Sequence, residues 1–136
     1  MQKPSSKNQN TNQRNLKEMK TSDIKITVGL DENNVPDKLL WTAQDGGIEQ
    51  EEAKALLLSV WDSKAKETLR IDLWTKDMPV DEMKQFFHQT LVAMADTFQR
   101  ATADEKMSDT MRDFCDYFAE KMELKASLET GSLIQI

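Results

Sequence analysis

The chain has one cysteine and one histidine among its 136 residues. A lone cysteine, Cys115, cannot form a disulfide within the chain, which suits a reducing compartment. Nucleophilic triads and zinc sites generally draw on histidine, and the chain has only His88 and a single cysteine far along the predicted second helix, so the sequence favours neither kind of site. Glycines number only four, and none stands in a loop of the spacing that cradles phosphate. We therefore predict no catalytic residue, no metal and no cofactor.

Long apolar runs are also missing from the sequence. No stretch approaches the roughly 20 apolar residues that a membrane span requires. The first twenty residues contain no apolar segment of the kind that a secretory signal needs. We expect a protein that is not membrane-embedded and resides in the cytoplasm.

Charge is distributed unevenly along the chain. Residues 1–20 carry five basic residues and one acidic residue, so this segment is +4; the whole chain is −6, which leaves −10 on the remainder. An acidic body repels nucleic acid and anionic lipid, and we predict neither as a partner of the folded part. We interpret the basic leader as a solvated, disordered segment.

Alternating apolar residues predict the first strands. Residues 24–30 alternate apolar and polar side chains, which is typical of a half-buried strand. Turn-forming residues at 31–36 lead to a second strand near 38–43. Residues 44–52 include Asp45, Gly46 and Gly47 and indicate a longer, mobile connection.

Residues 53–61 fit either a helix or a central strand. Their leading Ala and Lys residues favour a helix, whereas their short length and the apolar residues on both faces suit a buried strand. We choose a strand because a polar loop of hairpin length at 62–67 is followed by another alternating segment at 69–73. Four antiparallel strands result.

Two helices are predicted after the strands. Pro79 sets a helical φ at a first-turn position. Apolar residues at helical spacing, Val80 and Phe87 among them, then continue to Phe98, with His88 at the border of this apolar face. Thr102 and Glu105 are spaced like a capping box, which predicts the start of a second helix. The apolar face of the first helix is wide enough to contact both the sheet and the second helix.

These elements predict an α+β fold in which a four-stranded antiparallel β-meander is followed by two α-helices packed on one face. The chain is long enough for one compact domain with one continuous core. We place this domain at residues 22–124, after the basic leader at 1–21 and before a C-terminal tail at 125–136. The apolar residues of the tail either dock on the body or stay loose.

The second helix carries a continuous row of acidic side chains, at spacings of three and four that place them along one side of the helix. This acidic row consists of Glu105, Asp109, Asp113, Asp116, Glu120 and Glu123. Like charges at these spacings destabilise a helix by about 0.2–0.5 kcal/mol per pair unless a basic group meets them. The row is either a solvated face or a docking site for a basic partner or for the chain's own leader.

A second candidate surface is aromatic. If the apolar residues of the fourth strand face the helices, the residues between them face away. The outward side chains are then Trp41, Leu57, Trp61 and Trp74. An exposed apolar patch of this kind marks a protein contact site, so we predict a homo-oligomer or a client-binding surface there. The alternative is that strand curvature or the tail covers these tryptophans.

Three segments of the sequence resemble a known family. They read LDENNVP at 30–36, LRIDLWTKDMPVDEMKQFFHQTLVAMADTF at 69–98 and MRDFCDYFAEKM at 111–122. Together they resemble the GldC family of gliding-motility-associated proteins from gliding Bacteroidetes. The resemblance implies a cytoplasmic accessory of the gliding apparatus that has no catalytic residues. It also makes other gliding components candidate partners, the lipoprotein GldB among them.

The order of elements also resembles that of SecB-type export chaperones, at the level of the fold alone. Our first expectation is therefore a non-enzymatic accessory of gliding motility that binds a protein partner. The alternative is a SecB-like holdase that binds unfolded chains on an apolar surface. A third possibility, an enzyme with clustered carboxylates, requires a deep pocket lined by Asp or Glu.

Overall fold

A computed structural model describes residues 16–124 and 132–135, which contain five strands and two long helices. The strands are β1 (Ile24–Leu30), β2 (Pro36–Ala43), β3 (Ile48–Ala53), β4 (Ala55–Trp61) and β5 (Thr68–Trp74), and the helices are α1 (Val80–Thr102) and α2 (Glu105–Lys121). The strands pair in antiparallel fashion. The α+β class, with strands preceding two helices, is confirmed.

The strands form two sheets, so the prediction of a single four-stranded meander is wrong. β1, β2 and β3 form one sheet in that order, and β4 and β5 form a separate hairpin. The error lies in residues 44–52, where Gly47 adopts a φ of 75° and closes a 3-10 turn at Gln44–Gly46. β3 follows and pairs with β2. Its sequence, IEQEEA, carries too few apolar residues to stand out as a strand.

Residues 48–61 form two strands separated by the single residue Lys54. The carbonyl oxygen of Lys54 accepts hydrogen bonds from the Thr75 amide at 2.8 Å and from the Thr75 hydroxyl at 3.3 Å. Thr75 is buried and directly follows β5, so these bonds fix the end of β5 at the bend between β3 and β4. The choice of strand for most of residues 53–61 is confirmed.

Asp31 connects the β1–β2 turn to the chain that follows β5. Its Oδ1 accepts hydrogen bonds from the amides of Asn33 and Val35 at 2.8 and 3.0 Å. Its Oδ2 lies 3.2 Å from Lys76 Nζ, and the Lys76 amide donates to the Pro36 carbonyl oxygen at 3.1 Å. These bonds tie the β1–β2 turn to the segment that follows β5.

The Asp31 carboxylate predicts a specific dependence of stability on pH. The amide hydrogen bonds from Val35 and Asn33, followed by the contact with Lys76, hold the pKa of Asp31 below its ordinary value. A carboxyl with a lower pKa in the folded state stabilises the fold above its unfolded pKa of about 3.9, and this stabilisation is lost as the pH falls through the lower folded value. We expect the melting temperature of Asp31→Asn to fall less steeply than that of wild type on acidification below about pH 5.

Thermal unfolding followed by circular dichroism across this pH range measures the effect. Asp37→Asn is the matched control, because Asp37 also lies near Lys76, with Oδ1 at 3.6 Å from Nζ, but is an exposed residue without the two amide hydrogen bonds. If wild type and Asp31→Asn lose stability with the same slope, the carboxylate does not have the role assigned to it.

α1 and α2 form a helical hairpin. α1 ends at Thr102, and its C-cap Ala103 adopts a left-handed φ of 57°. The N-cap of α2 is Asp104, whose side chain accepts a hydrogen bond from the Met107 amide at 3.0 Å. The predicted capping box is wrong, because Thr102 still belongs to α1 and its hydroxyl donates to the Phe98 carbonyl oxygen at 2.8 Å.

Small and aromatic side chains fill the interface of the helical hairpin. His88, predicted at the border of the apolar face, is buried and stacks on Phe118 with ring centroids 6.1 Å apart. Ala95 and Ser108 are fully buried, and Cys115 is buried as well. Burial raises the pKa of the Cys115 thiol. Helical spacing places Cys115 on the apolar side of α2, and a buried thiol at such a position is usually an inert core residue.

The described part of the tail lies against the body. A Cβ added to Gly46 would lie 2.5 Å from Ile134 Cγ2, so the tail passes close over the 3-10 turn. Leu133 lines a hollow beside α1 together with Phe86 and Ala93. Residues 1–15, 125–131 and 136, which make up most of the predicted leader and tail, lie outside the described residues.

Candidate protein-binding groove

An open, mostly apolar groove lies between the β4–β5 hairpin and the helices. Its volume is about 460 Å³. One wall comes from β4 and β5, and the other comes from the start of α1 with one residue of α2. Its apolar lining includes Leu57, Trp74, Val80, Met83, Phe87 and Phe118. We call this site the groove.

The register of the β4–β5 hairpin determines which of its faces lines the groove. Leu57 pairs with Asp72 and Ala55 pairs with Trp74, so these four residues share one face. All four line the groove. The opposite face is fully aliphatic and consists of Leu56, Leu58, Val60, Leu69, Ile71 and Leu73. We call it the aliphatic face; Leu73 is its one member among the lining residues.

The predicted orientation of this hairpin is therefore wrong. The sequence places the aliphatic residues of the fourth strand towards the helices and Trp74 away from them, whereas the structure places Trp74 beside Val80 in the groove. The physical reason is the link between β5 and α1, which spans only residues 75–79. So short a link starts the helix near the last residue of the strand, and Val80 then lines the groove beside Trp74; alternation along the strand does not encode which side the link takes.

The structure brings two of the four predicted aromatic-surface residues together. Leu57 and Trp74 both line the groove. Trp61 lies on the same face of the hairpin as Trp74. It pairs with Thr68 at the opposite end, however, so the two tryptophans are on the order of 20 Å apart along the strand. Trp41 belongs to the other sheet, where it is partly buried and pairs with residues of β1 and β3.

The acidic row is exposed along its whole length in the structure. Asp109 is engaged by its own helix, because Arg112 Nη1 lies 3.0 Å from Asp109 Oδ1 while Nη2 lies 2.9 Å from Asp96 Oδ1. The hydrogen bond to Asp96 and, to a lesser extent, the one to Asp109 raise the pKa of Arg112. Glu123 lies beyond the end of α2, with a left-handed φ of 56°. Most of the basic leader that could meet this row lies outside the described residues.

Sequence patterns assign Val80 and Phe87 to the buried face of the first helix, but the structure leaves both exposed in the groove. Val80 is 71% exposed. The available signal is the width of the apolar arc on α1, because an arc that covers nearly half the circumference exceeds what one neighbouring helix can bury. The sequence predicts that the sheet covers the rest of the arc, whereas the structure leaves Val80 and Phe87 open in the groove between the β4–β5 hairpin and the helices.

Charged side chains stand at the rim of the groove. Arg70 and Asp72 form an exposed ion pair with an N–O distance of 2.9 Å, and Lys84 lines the same site. An exposed pair of this kind contributes about 0–1 kcal/mol. The chemistry that the groove offers is therefore burial of apolar side chains, with charges at the edge to orient what enters.

Comparison with known proteins identifies the family. Residues 36–124 match the family described as "Gliding motility-associated protein GldC-like". The chain belongs to this GldC-like family. The matched segment runs from β2 to the end of α2, so it contains both walls of the groove. Searches of curated proteins and of solved structures found no significant match.

Within residues 16–124 and 132–135 of this GldC-like chain, neither long helix contains an apolar stretch of the length that crossing a bilayer requires. In the same part of the chain, His, Cys, Asp and Glu side chains form no group of three or more suited to hold a metal ion.

Proposed function

We propose that this GldC-like protein is a non-enzymatic cytoplasmic accessory of the gliding machinery that acts by binding another protein component in the groove. Membership of the family supports the link to gliding motility. The observation that supports the binding role is the groove itself, in which Trp74 and Val80 stay exposed in a concave apolar site. Concave sites with an aromatic anchor are where interfaces concentrate their binding energy.

The size of the groove suggests what enters it. A volume of about 460 Å³ accommodates a few large apolar side chains. A partner segment that presents such side chains on one side would bury them against Trp74, Val80 and Phe87. The rim charges on Arg70 and Lys84 would then contact polar groups at the edge of that segment and favour one orientation.

Two tryptophans provide a matched test of this role. Trp74 is 57% exposed and lines the groove, whereas Trp61 is 65% exposed on the same face of the hairpin but outside it. We expect Trp74→Ser to reduce capture of the partner by about 30-fold, because loss of an aromatic hot spot costs roughly 2 kcal/mol or more. Trp61→Ser should leave capture within about twofold of wild type.

The measurement is affinity capture of tagged full-length variants from gliding cells, with each co-purified gliding component quantified by mass spectrometry. GldB is the first component to assay. Equal capture by wild type and Trp74→Ser, or equal losses in both variants, would contradict the assignment of the groove. Circular dichroism of each variant verifies that the fold is retained.

A SecB-like holdase is the second candidate, because an apolar groove open to solvent could also receive unfolded chains. The two functions differ in selectivity. A machine component binds one folded partner at a defined ratio, whereas a holdase suppresses aggregation of unrelated unfolded proteins. We expect the GldC-like protein to leave aggregation of unrelated, chemically denatured proteins unchanged. Suppression that Trp74→Ser abolishes would favour the holdase.

A further inference from the structure

The helical hairpin exposes a second apolar surface that extends beyond the groove. On each helix, apolar residues recur at spacings of three, four and seven, which places them on one side. Because the helices run antiparallel, these two sides lie on the same side of the hairpin. The surface consists of Phe87, Leu91, Met94 and Phe98 of α1 and of Met107, Met111, Phe114 and Phe118 of α2. We call it the helical apolar face; it meets the groove at Phe87 and Phe118.

The middle of this face is open to solvent. Met94, Met107 and Phe114 are each about half exposed, although a soluble protein gains by burying such side chains. Between the two helices, Leu91, Met111 and Phe114 line a shallow apolar hollow of about 250 Å³. A hollow beside protruding side chains offers both the knobs and the holes that helix packing requires.

The spacing of the face matches helix–helix packing. Phe87 and Met94 are seven residues apart, as are Met107 and Phe114, and each member has an apolar neighbour four residues along its helix. A period of seven is typical of helices that pack side by side in a left-handed bundle. The side of each helix that holds the hairpin together is a different one, marked by buried Ala95 and Ser108. Each helix thus has a second apolar side available for another helix.

The area and the charge of the face both suit a second copy of the chain. Phe87, Met94, Met107 and Phe114 are 43–53% exposed and together present on the order of 400 Å². The four partly buried members of the face add to this area, so the face supplies a large part of the roughly 800 Å² that each partner contributes to a standard interface. None of the eight is charged, so the face offers nothing to recognise a basic or acidic partner. The acidic row lies on the other side of α2, where it stays apart from the same row of a second copy.

We propose that two copies of this chain associate through their helical apolar faces and form a four-helix bundle about a two-fold axis. In such a contact the same face serves both copies, and α1 and α2 of one copy meet the helices of the other. The inference goes beyond the proposed function, because Met94, Met107 and Phe114, in the middle of the contact, do not line the groove.

Sedimentation equilibrium and light scattering of the full chain test the proposal. Wild type should have twice the monomer mass of 15.6 kDa, and Phe114→Glu should weaken association at least about tenfold, because each copy would then place a charge inside the bundle. Leu69→Glu is the control, since Leu69 and Phe114 are both 52% exposed but Leu69 belongs to the aliphatic face. It should leave the dimer intact.

Met94→Glu provides a second variant in case Phe114→Glu fails to fold, which circular dichroism reports. It should also yield a monomer. The melting temperature of wild type should rise with protein concentration, and that of Met94→Glu should not. The proposal is overturned if wild type is a monomer at all concentrations, if both helix variants remain dimeric, or if Leu69→Glu dissociates the dimer. Partner capture by Trp74→Ser is a separate measurement, so failure here leaves the groove assignment standing.

Discussion

Leu39→Ala will lower the free energy of unfolding by about 2–5 kcal/mol, the usual cost of removing a fully buried leucine side chain. Leu39 is 2% exposed and is the largest fully buried apolar side chain in residues 16–124 and 132–135. It pairs with Val28 on one side and with Ala53 on the other, so it lies in the middle of the three-stranded sheet. Few other apolar side chains of the described residues are buried, so no neighbour would fill the cavity that the alanine leaves.

Urea unfolding followed by circular dichroism measures this change. Leu30→Ala is the matched control, since Leu30 is 55% exposed at the end of β1 and should cost less than about 1 kcal/mol. Similar losses in the two variants would show that Leu39 does not have the central role in the core that its burial indicates.

Ala95→Leu will destabilise the helical hairpin by about 1–3 kcal/mol, because a fully buried site offers no space for three additional carbon atoms. Ala95 has no exposed surface in the structure, and Ser108 of α2 is equally buried. The larger side chain would force the helices apart and separate His88 from Phe118, whose rings stack at 6.1 Å. Since α1 and α2 together form the helical apolar face, the same change should weaken self-association.

The control for this variant is Ala101→Leu, the same substitution at an exposed position of α1. It should change stability by less than about 0.5 kcal/mol. Thermal unfolding gives the stability of both variants, and sedimentation gives their mass. An Ala95→Leu protein as stable as wild type would contradict the close contact between the helices.

Both predictions concern a protein with a small buried core and a large exposed apolar surface. In the described residues, the apolar side chains that are fully buried are few and mostly small, whereas Trp74, Val80, Met94 and Phe114 remain exposed. This division is unfavourable for an isolated monomer, because a half-exposed large side chain forgoes roughly half of the 1.5–3 kcal/mol that full burial contributes. It is what we expect of a chain that completes its burial on contact with other polypeptides, in the groove and on the helical apolar face.

Local patterns predicted most of the elements correctly. The strand at Ile24–Leu30 and the helix that begins at Val80 follow from alternation and from helical spacing with a preceding proline. β3 could not be found in this way, because its polar residues lie at positions that the sheet leaves exposed. The second helix was found, but its cap was misplaced by two residues, because an aspartate at 104 competes with Thr102 for the same role.

The candidate site was predicted less well than the fold. Trp74 and Leu57 were both singled out, and their shared facing followed from period-two alternation. Trp41 was grouped with them although it lies in the other sheet, which only the division of the strands into two sheets reveals. Helical spacing places Val80 and Phe87 on the apolar side of α1, but it does not show how much of that side the sheet and the second helix cover.

The sequence by itself determined the family, the α+β class and which residues share a face, because periodicity is a local property of the chain. Only the tertiary structure decided which face of the β4–β5 hairpin meets the helices. Alternation defines two faces but leaves their orientation open; here the five residues 75–79 place α1 beside Trp74 and leave the aliphatic face turned away. The length and path of a connection, which no hydrophobic pattern encodes, thus determined where the groove forms.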